Sequence, residues 1–204
     1  MTDLSKTTIS ENALRRMAWG FVLLIFDFNI MNFDVFNDLI GYLLILFALS
    51  ALEWEHSLFK KVKWITIVLF IGSIISVWIP DVSMMQWSPV VPLHYLIYGQ
   101  LYSILNLLMI VLLFRALGQL SIWHQIEDEA LVVTFKTRRK ALIGISVLQL
   151  FWYPFIMNMN EDWAIGIFVL AIIQVFLMFL FVRILFRLAN TYRLYHEQNQ
   201  SSEM

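Results

Sequence analysis

Six apolar runs, each close to the length that carries a helix across a bilayer, divide this chain into connections that are alternately basic and acidic. The runs extend approximately from Met17 to Phe33, Leu39 to Trp54, Trp64 to Pro80, Leu93 to Phe114, Ala141 to Met157 and Trp163 to Arg183. Hydrocarbon offers peptide groups no hydrogen bonds, so a run of this kind must satisfy its own backbone, and a helix is the form that does so. The pattern predicts an all-α fold, a polytopic transmembrane bundle of six helices. Composition agrees: 14% of the 204 residues are charged and 60% hydrophobic, whereas soluble domains are charged at about a quarter of their positions.

All 14 lysines and arginines fall on one side of that topology. Lys6, Arg15 and Arg16 precede the first run; Lys60, Lys61 and Lys63 lie between the second and third; Arg115, Lys136, Arg138, Arg139 and Lys140 lie between the fourth and fifth; and Arg183, Arg187 and Arg193 close the chain. The intervening connections hold Asp34 and Asp38, then Asp81, then Glu161 and Asp162, without a cation. Lys and Arg are retained on the cytoplasmic side during insertion, whereas acids have little influence. Both termini are therefore expected in the cytoplasm, with a segment 1–16, a transmembrane domain 17–188 that includes a cytoplasmic loop 115–140, and a tail 189–204. Trp19, Trp54 and Trp64 at the inner face, and Trp78, Trp87 and Trp163 at the outer, fit interfacial belts.

The polar start Met-Thr-Asp-Leu-Ser-Lys leads to the expectation of neither a removable signal peptide nor a lipid anchor. With no cysteine, disulfides and thiol chemistry are excluded. Anionic headgroups account for the basic face, so the expected partners are the lipid bilayer, other membrane proteins or a second copy of the chain, and not nucleic acid. In loop 115–140, Glu127, Asp128 and Glu129 precede four cations, which predicts a helix starting near Glu127 and continuing into the fifth span. It reads either as a docking surface or as a membrane-surface helix whose charges serve insertion alone.

The first hairpin carries the most informative polar residues. Asp27 lies 11 positions past Arg16, roughly 16 Å inward and near the bilayer midplane. An acid there costs on the order of 2.5 to 3.5 kcal/mol on insertion scales and by default faces other helices. Asp34 and Asp38 follow at spacings of seven and four. They form either an outer acidic, cation-binding stripe with Asp27 or, as N-D before an apolar run suggests, helix caps at the turn. Asp27, Ile30, Asp34, Asp38, Ile40, Gly41 and Tyr42, in the pattern D-x-x-I followed by D-x-x-x-D-x-I-G-Y, resemble the opening hairpin of small uncharacterised multi-pass membrane proteins from Gram-positive bacteria. Asn37 stands where that pattern often has proline. The resemblance covers this hairpin alone; it implies a bacterial plasma membrane and carries over no catalytic residue.

Counting inward from the basic flanks places Asp27, Ser73, Asn106, Gln149 and Gln174 between 9 and 11 residues deep, roughly 13 to 17 Å. Tyr42 is nearby on the second helix, and Tyr95, Gly99, Tyr102, Ser103 and Asn106 mark one face of the fourth. As a permease site, Asp27 would couple an ion or proton to a solute held by the amides; as interhelical glue, each polar pair contributes only about 0.6 kcal/mol and fixes register. His56, His94, His124 and His196 are scattered without ligand spacing, so no metal, cofactor or enzymatic constellation is expected. The reading is a non-enzymatic accessory or regulatory subunit acting by helix packing and loop 115–140, with a small permease or ion-coupled transporter using Asp27 as the alternative.

Overall fold

The computed structural model describes residues 3–26, 34–76, 93–124, 129–152 and 161–202, and among these every regular element is helical. The helices are α1 (Asp3–Ile25), α2 (Asp34–Leu52), α3 (Leu58–Ser76), α4 (Leu93–Leu117), α5 (Glu129–Trp152) and α6 (Glu161–Ser202), with a 3-10 turn at Ser121–His124. Two stretches, Ile97–Leu117 and Phe168–Tyr195, are long and apolar enough to cross a membrane; Asp38–Leu52 is a shorter apolar helix. The expected runs from Met17, Trp64 and Ala141 each end among residues outside the described set.

Each helix packs on its neighbour in the chain, and α6 closes onto α1, so the six form a ring. Elements consecutive in a chain are usually adjacent in space, and these follow that rule. Antiparallel α1 and α6 meet through Trp19 on Phe186 and Phe21 on Phe181, with centroids 5.8 and 5.2 Å apart. Phe114 of α4 lies against both Phe181 and Phe135, which carries the aromatic contact across the ring to α5. These edge and tilted arrangements are the ones that aromatic quadrupoles favour.

Burial is uneven along the helices. Ser10, Ala13, Leu14, Met17, Ala18 and Phe21 recur at spacings of three and four on α1 and are fully or almost fully buried; Ile184, Leu185, Leu188, Ala189 and Tyr192 form the corresponding stripe on α6. All belong to the end of the ring that holds the cations. Towards the other end α6 is apolar but uncovered: Ile165 is 67% exposed and Phe176 60%, and Phe151 on α5 is 70% exposed. Large apolar side chains left outward on a helix of this hydropathy suit lipid contact.

Two helices run beyond their expected spans. α1 begins at Asp3, and α6 has 42 residues, about 63 Å at ~1.5 Å per residue and roughly twice the ~30 Å hydrocarbon core. No Gly or Pro follows Arg183 before the end of α6, and its apolar stripe continues, so nothing breaks the helix where the expected span ends. The segments expected as a terminal extension and a tail are thus helical and packed on each other. α5 begins at Glu129, with Glu127 and Asp128 outside the described residues.

Candidate functional site

The structure brings together only part of the predicted polar layer. Asp27 and Asp81 lie outside the described residues. Asp34 is the first residue of α2, so that helix starts a turn earlier than capping by Asn37 and Asp38 implies; an acid at the first position suits the positive end of the helix dipole, and Asp38 sits inside the helix. Ser73 is buried and donates to the carbonyl of Phe70, 2.8 Å away on its own helix. Gln149 is half-buried on α5.

Asn106 does meet partners from another helix. Tyr42 and Tyr102 share a hydroxyl hydrogen bond of 2.8 Å, Tyr42 also donates to Asn106 Oδ1 at 3.4 Å, and Asn106 Nδ2 donates to the carbonyl of Tyr102 at 3.3 Å. Tyr98, one turn earlier on α4, donates to the carbonyl of Gly72 at 2.6 Å. This cluster ties α2, α3 and α4 together by phenols and one amide. Its members satisfy one another, as interhelical glue requires. Tyr42→Phe is expected to lower stability by about 1 kcal/mol through the lost hydroxyl bonds. Thermal unfolding of the purified variants checks this, and in a double-mutant cycle with Asn106→Ala the two effects should fail to add.

A second polar group lies on α4, α5 and α6. Gln100 Nε2 donates to the carbonyl of Leu150 at 3.2 Å, while Gln100 Oε1, Ser146 Oγ and Gln174 Oε1 are buried without a hydrogen-bond partner among the described residues. Arg138 donating to the carbonyl of Leu180 sets the α5 and α6 register. Of this group only Gln174 belongs to the layer read from the sequence. Gln100 lies at a different depth and so falls outside that layer, although a lone amide in an apolar run is a visible signal.

The densest constellation is one that charge counting passes over. Glu55, in the turn between α2 and α3, is half-buried. Its Oε1 accepts from Ser10 Oγ and from the hydroxyl of Tyr192, both at 3.0 Å, and its Oε2 accepts from the backbone N–H and Oγ of Ser121 at 3.4 and 3.0 Å. One carboxylate thereby joins α1, the α2 to α3 turn, the 3-10 turn after α4, and α6. Beside it, Arg15 bridges Glu11 at 3.0 Å and Asn190 at 2.9 Å, and Lys63 pairs with Glu53 at 2.6 Å. The only sequence signal is an acid inside a basic connection. Acids do not direct insertion, so their placement there answers to packing instead.

Among the described residues no group of three or more His, Asp or Glu could hold a metal ion. The chain matches no known protein family, no curated protein and no solved structure.

Proposed function

We propose that this chain is a six-span protein of a bacterial plasma membrane, with both ends in the cytoplasm, that acts as a non-enzymatic accessory or regulatory subunit. The Glu55 clasp carries this reading. It fastens the two terminal helices and the start of loop 115–140 into one shaped surface at the basic end, which suits presentation to another protein. The confinement of the cations to that end supports the orientation, and the likeness of the Asp27 to Tyr42 hairpin to multi-pass proteins of Gram-positive bacteria supports the compartment.

Topology is open to a direct measurement because the chain has no cysteine. A single cysteine at Ser83 is expected to react with an impermeant maleimide in intact cells, and one at Ser202 only after lysis; the reverse pattern removes the proposed orientation. For the function itself, affinity purification in a mild detergent is expected to retain a stoichiometric membrane partner, which Glu55→Ala releases. Recovery of the lone chain at every detergent strength overturns the subunit reading.

The unpaired acceptors of Gln100, Ser146 and Gln174 favour a second reading, a small permease whose amides coordinate a polar solute between α4, α5 and α6. Solute uptake by vesicles containing the purified protein, abolished by Gln174→Leu and kept by Gln174→Asn, would establish it.

A further inference from the structure

Along α5, one stripe of side chains changes character from end to end. Lys136, Arg139 and Lys140 line an open groove with Ile143 and Gly144, at helical spacings of three and four. The same face continues outward through Val147, Leu148 and Phe151, all exposed. Around Gly144 a Cβ would find nothing within 4 Å, so the groove is open beyond the cations. Among the described residues, carboxylates pair with Arg15, Lys63 and Arg193, and none pairs with the three cations of the stripe.

On the adjoining side, Arg138 is fixed to α6 by its 2.6 Å hydrogen bond to the carbonyl of Leu180. Partial burial lowers its pKa, and repulsion from Arg183 and Arg187 adds to the effect. Positive charge is therefore concentrated at this corner without a paired carboxylate among the described residues. A soluble anion would use the cations alone. An amphiphile with a negative head would also use the apolar continuation, and both parts lie on one stripe in the order that a lipid leaflet requires.

We infer that this face of α5 is a binding site for an anionic phospholipid, its phosphate held by Lys136, Arg139 and Lys140 and an acyl chain lying past Ile143 and Gly144 towards Phe151. The inference rests on the chain spanning a bilayer and holds for either functional reading.

The test uses the full chain in nanodiscs of equal parts phosphatidylglycerol and phosphatidylcholine, followed by gentle extraction and mass spectrometry of the retained lipid. Retained phosphatidylglycerol is expected to exceed phosphatidylcholine by about tenfold, because three adjoining cations favour the anionic head. The triple variant K136Q/R139Q/K140Q should fall to the bulk ratio. R16Q/K60Q/K61Q removes the same charge elsewhere at the basic end and should keep the enrichment. Equal loss in both variants, or no enrichment in the parent chain, overturns the site. If the first variant does not fold, Gly144→Phe decides: blocking the acyl path should lower retention at unchanged charge, and unaltered retention counts against the inference. Displacement by excess free glycerol phosphate would identify a soluble-anion site and overturn the lipid assignment. Failure of the parent chain to enter nanodiscs would count against the membrane-spanning reading itself, separately from the lipid preference.

Discussion

Gly20→Leu is expected to prevent α1 and α2 from packing, and Gly20→Ala to destabilise the fold measurably. A Cβ on Gly20 would lie 2.7 Å from Ile45 Cγ1, 2.8 Å from the carbonyl oxygen of Gly41 and 3.2 Å from the backbone nitrogen of Ile45. A Cβ on Gly41 would meet the carbonyl oxygen of Gly20 at 3.0 Å and Leu24 Cδ2 at 2.9 Å. The two glycines thus face each other at a crossing where backbone approaches backbone, and a carbonyl cannot rotate away as a side-chain tip can. Overpacking usually costs about 1 to 3 kcal/mol, and Ala at position 20 belongs at the upper end because the α1 and α2 backbones must both shift. Leu exceeds that range and should leave no folded protein after detergent extraction. Gly144→Ala is the control: that position is open and helical, so the substitution should be neutral or stabilising by up to ~1 kcal/mol from propensity alone. Midpoints of thermal unfolding decide the matter, and equal midpoints for Gly20→Ala and Gly144→Ala would refute the close crossing.

This crossing also shows what a sequence can and cannot tell. Gly41 stands out beside Ile40 and Tyr42, and Gly20 opens the same hairpin, yet which glycine meets which depends on the packing register, and an apolar run does not encode register visibly. Helix positions were legible because apolar runs and charged flanks obey transfer energetics that act one segment at a time. The polar layer was legible only in depth. Asn106 and Tyr42 come together as their common depth suggests, but the Ser73 hydroxyl donates to a carbonyl of its own helix, and the Gln174 side-chain oxygen accepts no hydrogen bond among the described residues. Depth fixes one coordinate of a side chain, and rotation about the helix axis fixes the contact. The contacts of Glu55 are not legible in the sequence for a related reason. Its ligands, Ser10, Ser121 and Tyr192, are separated from it by 45, 66 and 137 residues, and none belongs to a spacing motif. Helical continuation of α6 beyond its expected span has a signal that insertion arithmetic ignores, the apolar stripe of Leu185, Leu188 and Tyr192 after Arg183.

The largest effect at the basic end is expected from Glu55→Ala. Removing the carboxylate leaves the Ser10 and Tyr192 hydroxyls and both Ser121 donors without their shared acceptor. Hydrogen bonds to a charged group contribute about 1.5 to 3 kcal/mol each, and exposure on the Ser121 side reduces its share, so a total of roughly 3 kcal/mol is expected. The loss should be local. Aromatic packing of Phe21, Phe114 and Phe181 does not involve Glu55 and should persist, whereas the end of α6, the first turns of α1 and the 3-10 turn should separate. Hydrogen exchange is therefore expected to rise in residues 3–14, 118–124 and 188–202 while residues 103–113 remain protected. Glu55→Gln separates charge from shape: its single carbonyl oxygen can still accept, but the amide group turned to Ser121 is a donor facing a backbone donor. Gln should accordingly release the Ser121 turn and keep α1 joined to α6. Uniform exchange along the whole chain in Glu55→Ala, or exchange unchanged from the parent, would show that the terminal helices hold together without this carboxylate.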